Sequence, residues 1–400
     1  MIEFKLPDLG ADIDEGTLLE WKVKPGDRVS KGDIVAVVDT EKAAVDVENW
    51  HEGTVSELLV QPETVMPVGT AMALLLEPGE STEQAIQWKR THIAGHVPTP
   101  APIAVPVSTI RGASTDTTQL PTQRRRISPA ARKRAEELGI RVENVVGTGP
   151  DNAVTINDIE KAGQAKPPAA PPKDKAAEMR RVIAAAMARA KREIPHYYLA
   201  EDIALMQATE WLTSHNASRP INERLLLPTL YIKAVAMALT QFGELNGFWR
   251  DQGFVSGTGI HIGVAISLRQ GGLIAPAIHD VDKKDLDTLM NELADLVKRT
   301  RAGSLRSSEM SDPTVTITNL GDQGVETVFG VIYPPQVALV GFGRSRLRPW
   351  VIDQRLQVAP VVTASLSADH RVSDGHRGGL FLAAVRDYLQ TPEKLAAKNG

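Results

Sequence analysis

Two proline-rich stretches divide the 400-residue chain into three pieces, and they limit the possible folds more than any other feature. The first covers about 79–123 and contains "HVPTPAPIAVPVSTIRGASTDTTQLPTQ"; the second covers 163–177 and reads "GQAKPPAAPPKDKAA". Neither has an apolar periodicity, so neither buries enough apolar surface to offset the entropy lost on ordering. We therefore predict two flexible linkers and three domains, at 1–78, 124–162 and 178–400.

The overall composition argues against several classes of protein. The formal net charge is −4, which provides no basic surface overall for nucleic acid, and the absence of cysteine excludes disulfides and a cysteine nucleophile. The start, "MIEFKLPDLG", does not read as a signal peptide, and no stretch is apolar for long enough to span a bilayer. The histidines show no metal-ligand spacing. We expect a soluble cytoplasmic protein that binds no metal, membrane or nucleic acid.

The first piece contains a weak internal duplication. At an offset of 37 residues, "VKPGDRVSKGDIVA" (23–36) aligns with "VQPETVMPVGTAMA" (60–73). This pattern predicts two similar halves of a flattened, antiparallel, all-β barrel. Lys42 falls between the two copies, in the hairpin "DTEKAA", where a modifying enzyme could reach its side chain. A plain solvated lysine is the alternative interpretation.

This piece resembles the lipoyl domains of 2-oxo acid dehydrogenase complexes. The resemblance rests on "PDLGADIDEGTLLEW", "VKPGDRVSKGDIVAVVDTEKAAVDVE" and "GTVSELLV". It implies that Lys42 carries lipoate in amide linkage. The family more often reads Glu-Thr-Asp-Lys-Ala, whereas this chain has Asp-Thr-Glu-Lys-Ala at 39–43, which keeps the charges. A biotin domain would set its lysine between methionines, and none flanks Lys42.

The second piece is too short for an ordinary core. Ser128 and Pro129 predict the start of a short helix that runs to Leu138, and Thr155 with Asp158 predicts a second, capped helix. The conspicuous surface feature is a set of basic residues: Arg124, Arg125, Arg126, Arg132, Lys133 and Arg134. Composition alone allows a solvated face or a nucleic-acid contact.

The same piece resembles the small α-helical peripheral subunit-binding domain of these complexes. The resemblance implies that Arg132 and Lys133 dock an acidic face of either the 2-oxo acid dehydrogenase component or dihydrolipoamide dehydrogenase. Such contacts are steered by charge and weaken with salt. Ala153 stands where the family usually has a basic residue, so the preferred partner stays open.

The third piece carries a histidine between a predicted strand and a predicted helix, in "SLSADHRVSDGHRGGLFLAAVRDYL". The apolar run "APVVTASL" leads into His370, and from Gly379 onward the apolar residues follow helical spacing. A histidine on such a loop, among charged neighbours, is well placed to act as a base. A structural, hydrogen-bonded histidine is the alternative.

The pattern Asp-His-Arg-x-x-Asp-Gly resembles the signature of dihydrolipoamide acyltransferases. Further matches are "MRRVIAAAMARAKREIPHYYLAEDI", "HIGVAISLRQGGLIAPAI", "TVTITNLGDQG" and "PPQVALVGFG". The resemblance implies a two-layer α/β domain similar to chloramphenicol acetyltransferase, built on a mixed sheet and assembled as trimers into a core of 24 or 60 copies. Coenzyme A and lipoamide would enter the site from opposite ends.

The resemblance also implies roles for four residues. Acyl exchange between thioesters needs two thiols; with no cysteine, they must come from coenzyme A and from dihydrolipoamide on Lys42. His370 would remove the thiol proton, and Thr318, where the family has serine, would donate to the oxyanion. Asp374 would pair with Arg180 to hold the loop. His370 of one subunit would face Thr318 of its neighbour.

The acyl group is the least constrained part of this interpretation. The stretch "HIGVAISLRQGGLIAPAI" looks more like the acetyl- and branched-chain-transferring members than the succinyl-transferring ones. We expect acetyl transfer, with a branched-chain acyl group second, and the sequence does not separate a pyruvate complex from an acetoin complex. The alternative from another class is a non-catalytic, lipoyl-bearing scaffold, which would be expected to have a broken Asp-His-Arg motif.

Overall fold

The computed structural model describes residues 1–9, 13–40, 43–77, 80, 127–138, 145, 147–150, 153–164, 175–268, 272–352 and 354–397. The chain forms two compact units, 1–94 together with 174–400, and 95–173. Nearly all of the two predicted linkers falls outside the described residues, so both linkers stay predictions. In the described part of the chain, no helix is both long enough and apolar enough to cross a membrane.

The N-terminal part of the first unit is a flattened barrel of two antiparallel sheets. One sheet has the order β1-β8-β6-β3, and the other includes the order β5-β4-β2-β7. Alternate side chains point inward, as expected of strands with one buried face. The strands are β1 (Ile2–Lys5), β2 (Glu15–Trp21), β3 (Arg28–Val29), β4 (Ile34–Asp39), β5 (Ala44–Glu48), β6 (Gly53–Leu58), β7 (Val65–Pro67) and β8 (Ala71–Leu76).

The two copies of the duplicated sequence occupy equivalent places in this barrel. Val29 in the first copy and Met66 in the second are both buried in its core. Gly32 and Gly69 both have a left-handed backbone, with φ of 92° and 87°, which a residue without Cβ adopts at little cost. The predicted duplication is therefore confirmed by the structure.

The described part of the second unit is a small helical domain. It contains α1 (Pro129–Glu137) and α2 (Ile156–Gln164). Ser128 caps α1, because its hydroxyl accepts a hydrogen bond from the backbone N–H of Ala131 at 3.2 Å. The described core consists of Ala131, Ala135, Val145, Val154 and Ile159.

The C-terminal part of the first unit is an α/β body around a seven-stranded mixed sheet. The order is β15-β12-β17-β18-β20-β19, with β9 also paired to β20. β12, β17 and β18 are parallel to one another, and the other pairs are antiparallel. The described strands are β9 (His196–Ala204), β10 (Gly247–Arg250), β11 (Gly253–Ser256), β12 (Ile262–Val264), β13 (Ile266–Ser267), β14 (Leu273–Ile274), β15 (Ala277–Ile278), β16 (Ser304–Arg306), β17 (Val315–Asn319), β18 (Ala338–Phe342), β19 (Arg346–Ile352) and β20 (Arg355–Asp369).

Helices cover this sheet and supply much of its core. They are α3 (Lys175–Glu193), α4 (Met206–Asn216), α5 (Leu227–Leu239), α6 (Leu286–Ala302), α7 (Ser307–Ser311), α8 (Gly375–Gln390) and α9 (Pro392–Ala396). α5 is buried along nearly its whole length, which agrees with its apolar sequence "LPTLYIKAVAMAL". It packs against α8, whose Phe381, Val385 and Leu389 lie in the same core.

Lys233 is the exception on α5, because its long side chain is buried in that core. Its ammonium donates to the carbonyls of Val281 at 3.1 Å, Asp282 at 2.8 Å and Lys284 at 2.6 Å. Burial lowers the pKa of Lys233, but all three donors of the ammonium are satisfied. The side chain therefore ties α5 to the loop that precedes α6.

Candidate active site

The histidine predicted as a base lies on the loop between β20 and α8. β20 ends at Asp369 and α8 begins at Gly375, so His370 is the first loop residue. Its backbone N–H donates to the carbonyl of Pro195 at 3.0 Å, which holds the loop against the turn between α3 and β9. The His370 side chain is exposed, so a substrate thiol can reach its imidazole.

An ion pair links the two sequence neighbours of His370. The carboxylate of Asp369 is wholly buried. It accepts from Arg371 Nε at 3.0 Å, Nη2 at 2.6 Å and the backbone N–H at 2.9 Å. The guanidinium also stacks on Trp249, 4.5 Å from the ring centroid. Because a bidentate pair fixes direction as well as charge, it holds the backbone on both sides of His370. Asp369 and Arg371 had no predicted role, although the charged Asp-His-Arg motif was the signal for them.

Tyr197, on β9, packs edge-on against the His370 imidazole, with ring centroids 5.3 Å apart. Its hydroxyl is hydrogen-bonded to that of Ser373 at 2.9 Å. Burial raises the pKa of the Tyr197 phenol, which keeps it neutral beside the histidine. There is no spare room behind the ring, since a Cβ added at Gly378 would lie 2.8 Å from the phenol oxygen. No sequence pattern points to Tyr197, because it lies on β9, far from His370 along the chain although β9 pairs with β20.

Thr318, the predicted oxyanion donor, lies toward the opposite end of the sheet from His370. The strand register pairs Thr318 with Gly341, and Gly341 with Ser365. His370 follows Ser365 by five residues on β20 and the start of the loop. An antiparallel strand rises about 3.4 Å per residue, so Thr318 and His370 are about 17 Å apart along the strand direction. A single chain therefore does not bring these two side chains together.

Asp374 is the N-cap of α8. Its carboxylate accepts from the backbone N–H of Arg377 at 2.9 Å, and this donor is the main reason why the pKa of Asp374 lies below its usual range. Arg180 lies on the exposed side of α3. Among the described residues of the single chain, no ion pair joins Arg180 to Asp374, and that pairing stays a prediction. The cap itself orders the end of the loop.

The strands next to the predicted lipoylation site form a tight hairpin. Asp39 at the end of β4 pairs with Ala44 at the start of β5. The backbone N–H and the hydroxyl of Thr40 both donate to the carbonyl of Ala43, at 3.0 and 2.7 Å. Lys42 itself lies outside the described residues. The hairpin closes immediately before and after positions 41–42, an arrangement that fits a lysine offered for lipoylation.

The two predicted docking residues, Arg132 and Lys133, are both exposed on α1 in the second unit. The next residue, Arg134, pairs with Glu137 at 2.9 Å instead. The basic residues at 124–126 lie outside the described part of the chain. Within that described part, no three histidine, aspartate or glutamate side chains are grouped so that they could hold a metal ion.

Comparison with protein-family models identifies the C-terminal body. Residues 170–397 match the model described as 2-oxoacid dehydrogenases acyltransferase (catalytic domain). The chain belongs to this acyltransferase family. Residues 2–75 match the biotin/lipoyl model, described as biotin-requiring enzyme, and residues 125–160 match the e3 binding domain. These matches confirm the predicted family and its multidomain fold class, a lipoyl barrel, a small helical binding domain and an α/β acyltransferase domain.

Curated relatives match this chain over almost its full length. The dihydrolipoyllysine-residue acetyltransferase component of the pyruvate dehydrogenase complex of Zymomonas mobilis is 30% identical and aligns over 99% of this chain and 100% of that protein. Its counterpart from Rhizobium meliloti is 31% identical over 98% of both chains. The acetyltransferase component of the acetoin cleaving system of Bacillus subtilis is 28% identical over 98% of this chain and 99% of that one. The protein is an enzyme of the acyltransferase class.

Solved structures match the catalytic body. The dihydrolipoamide acetyltransferase of Azotobacter vinelandii, studied for the role of a serine, a histidine and an asparagine in its mechanism, is 26% identical with a TM-score of 0.52. The cubic core of a pyruvate dehydrogenase multienzyme complex is 25% identical, also with a TM-score of 0.52. Each match covers 57% of this chain and 100% of the solved one.

Proposed function

We propose that this chain transfers an acetyl group from a lipoyl arm on Lys42 to coenzyme A, within the core of a 2-oxo acid dehydrogenase complex. The observation that carries the proposal is the exposed His370, held between the buried carboxylate of Asp369 and its ion-pair partner Arg371. A non-catalytic scaffold has no need for a histidine held in this way. The full-length acetyltransferase relatives support acetyl as the transferred group.

The spacing of the proposed catalytic residues supports their assignment. In the Azotobacter vinelandii acetyltransferase, the serine and histidine studied for catalysis are 52 residues apart, and the histidine and asparagine are four apart. Thr318, His370 and Asp374 have the same separations in this chain. A threonine side chain has a hydroxyl, as serine does, and an aspartate side chain has an accepting oxygen, as asparagine does.

His370 acts as the base in this proposal. A free thiol has a pKa of about 8.5, so near neutral pH the thiol of coenzyme A has to lose its proton as it attacks the acyl carbon. His370 takes that proton, and Tyr197 and the Asp369–Arg371 pair keep the imidazole in place. When the bond from the acyl carbon to the departing sulfur breaks, His370 returns the proton to that sulfur.

Thr318 stabilises the negative charge that develops on the acyl oxygen. Its hydroxyl donates a hydrogen bond to this oxyanion, and removing one such donor typically costs about 10²–10³ in kcat. Because β-branching restricts the rotamers of threonine, the hydroxyl has fewer orientations than that of serine. Lipoate on Lys42 would supply the acyl group as a thioester when bound.

A complete site requires a second copy of the chain, since Thr318 and His370 of one chain are about 17 Å apart along the sheet. One face of the β19–β20 hairpin supports self-association. It presents Leu347, Val351, Leu356 and Val358, which are 73%, 66%, 74% and 67% exposed in the single chain. We propose that trimers form the site between neighbours and build a larger core, with coenzyme A and lipoamide entering from opposite ends.

The second unit would recruit the other enzymes of the complex. Exposed basic residues, Arg132 and Lys133, would meet an acidic face of dihydrolipoamide dehydrogenase or of the 2-oxo acid dehydrogenase component. The match of this unit to the e3 binding domain supports the first of these partners. Association steered by charge in this way is fast and depends on ionic strength.

An assay of the reverse reaction tests this proposal. It measures the rate of acyl transfer from acetyl-, isobutyryl- or succinyl-coenzyme A to free dihydrolipoamide. We expect acetyl to be the best donor and His370→Ala to lower kcat by about 10²–10⁴. His376→Ala, an exposed histidine on the same helix end, is the matched control and should keep its activity. An isobutyryl preference would indicate a branched-chain complex. No transfer from any donor, or full activity of His370→Ala, would contradict the proposal.

A further inference from the structure

The N-terminal barrel is joined to the catalytic body by an added strand. β16 pairs in parallel with β5, and Ser304, Leu305 and Arg306 are level with Ala44, Val45 and Asp46. β5 would otherwise be the edge of its sheet, because the order there is β16-β5-β4-β2-β7. An edge strand presents unpaired N–H and C=O groups, and pairing with another segment satisfies them.

Side chains of the barrel and of the body also form hydrogen bonds at this junction. The hydroxyl of Ser304 donates to Asp46 Oδ2 at 3.2 Å. The carboxylate of Glu48 is buried and accepts from the Ser308 hydroxyl at 2.5 Å and from the Ser308 backbone N–H at 3.3 Å. Burying a carboxylate costs free energy unless it is hydrogen-bonded. The Ser308 donors offset this cost for Glu48, so they favour this docked position of the barrel over other positions beside the body.

The receiving segment of the body is held in shape from its own side. Glu309 on α7 accepts two hydrogen bonds from the guanidinium of Arg299, at 2.7 and 2.5 Å. It also accepts from the backbone N–H of Arg306 at 2.9 Å. The segment that meets the barrel is therefore preorganised, which lowers the entropy lost on docking.

The junction directs the predicted lipoyl hairpin toward the catalytic body. Ala43, at the hairpin, packs against the core of that body, and Met310 on α7 packs against the cores of both parts. A cleft beside the junction is lined by Asp8 of the barrel together with Arg189 and Gln336 of the body. A second cleft shares Arg189 and Gln336 with the first and extends to Arg371, next to His370.

We propose that the segment 304–311 is a docking site for the lipoyl domain of this chain, which seats the domain by strand addition at β5 and recognition of Glu48 by Ser308. The inference rests on the proposed lipoylation of Lys42. The docked state places the barrel beside two adjoining clefts, the second of which reaches Arg371 in the His370 loop. The substrate that this surface selects is therefore the protein-bound acyl-lipoyl group rather than free lipoamide.

A disulfide-trapping experiment tests the docked state in the full chain, which has no cysteine of its own. Ala44→Cys with Ser304→Cys places two thiols at residues that are paired in register between β5 and β16. Thr64→Cys with Ser304→Cys is the control, because exposed Thr64 directly precedes β7 at the far edge of the same sheet. Under mild oxidation we expect the first pair to cross-link within one chain at least about tenfold faster. Equal rates would overturn the docking proposal.

A kinetic test separates this inference from the proposed function. In Ser308→Asp, a second carboxylate faces Glu48, so docking should be lost through like-charge repulsion. We expect acyl transfer from the chain's own lipoyl domain to fall about tenfold, while transfer to free dihydrolipoamide is unchanged. Ser214→Asp, at an exposed position on α4 outside the docking segment, is the control. Equal rates for wild type and Ser308→Asp with the lipoyl domain would overturn docking, whereas absence of transfer to free dihydrolipoamide in the wild type would contradict the enzyme function itself.

Discussion

The wholly buried carboxylate of Asp369 and the guanidinium of Arg371 form a two-pronged ion pair, with Arg371 Nη2 2.6 Å from Asp369 Oδ2. His370 is the residue between them, and it is exposed. The ion pair thus fixes the backbone of the loop on both sides of His370. It does so without occupying the face on which substrate would bind.

Asp369→Asn should weaken this loop. An amide can accept only one of the two guanidinium hydrogen bonds, and a buried donor or acceptor left unpaired costs about 1–3 kcal/mol. We expect that loss in the free energy of unfolding, measured by urea denaturation followed by circular dichroism, together with a lower kcat. Asp387→Asn is the matched control, because its ion pair with Arg386 is exposed and should contribute less than about 1 kcal/mol. Equal losses for the two variants would contradict the role given to Asp369.

Removing the Thr318 hydroxyl should slow the chemistry and leave substrate binding almost unchanged. Thr318→Val keeps the shape of the side chain, and we expect kcat to fall about 10²–10³ with little change in KM. Thr318→Ser retains the donor and should stay within about tenfold of the wild type. Steady-state kinetics with acetyl-coenzyme A and dihydrolipoamide measure both. A Thr318→Val enzyme as active as Thr318→Ser would exclude the hydroxyl from the mechanism.

Mixed oligomers should recover activity that neither parent has. His370→Ala and Thr318→Val chains are refolded together in equal amounts, and the activity of the mixture is compared with each parent alone. If each site takes its histidine and threonine from different chains, about one site in four is intact in the mixture. The approximate 17 Å separation within one chain is the reason for this expectation. A mixture no more active than its parents would place both groups of a site on one chain.

The small helical unit should lose stability in acid because of Asp158. Hydrogen bonds, first from the Thr148 side chain and then from the backbone N–H groups of Thr148 and Thr155, hold the pKa of this carboxyl far below its usual value of 3.8. A carboxyl whose pKa is lower in the folded state stabilises the fold above its unfolded pKa. That stabilisation diminishes as the pH falls below about 4. Hydrogen exchange of residues 127–164 in the full chain, followed from pH 6 to pH 3, should show the loss.

Asp158→Asn is the control for this pH dependence. We expect faster exchange in the variant at pH 6 and little further change on acidification, because the titrating group is absent. If wild type and variant show the same dependence on pH, other carboxyl groups account for the acid sensitivity of this unit.

Replacing both Arg132 and Lys133 by alanine should weaken capture of dihydrolipoamide dehydrogenase. Both side chains are exposed on α1, so the fold of the unit should persist. We expect a slower association rate, and a smaller dependence of that rate on salt, in surface plasmon resonance. Arg189→Ala with Arg192→Ala removes the same charge from α3 and is the matched control. If the double variant at 132 and 133 bound dihydrolipoamide dehydrogenase as well as the wild type does, the proposed docking role of these two residues would be contradicted.

Local sequence patterns predicted several parts of this structure correctly. The cap at Ser128, the hairpin at 39–44, and the strand-loop-helix around His370 each depend on residues close together in the chain. Turn chemistry, capping and hydrophobic periodicity act over a few residues, so they can be seen in one sequence. The motif around His370 similarly identified the acyltransferase family before any geometry was known.

Only the tertiary structure decided how distant residues meet. The register of β17, β18 and β20 separates Thr318 from His370, and Tyr197 reaches the histidine from another strand. Glu48 meets Ser308 across 260 residues of chain. A motif specifies residue types but not the distances between them. Sequence by itself determined the domain types and the chemical groups; sheet register and packing, which depend on long-range contacts, determined which groups can act together.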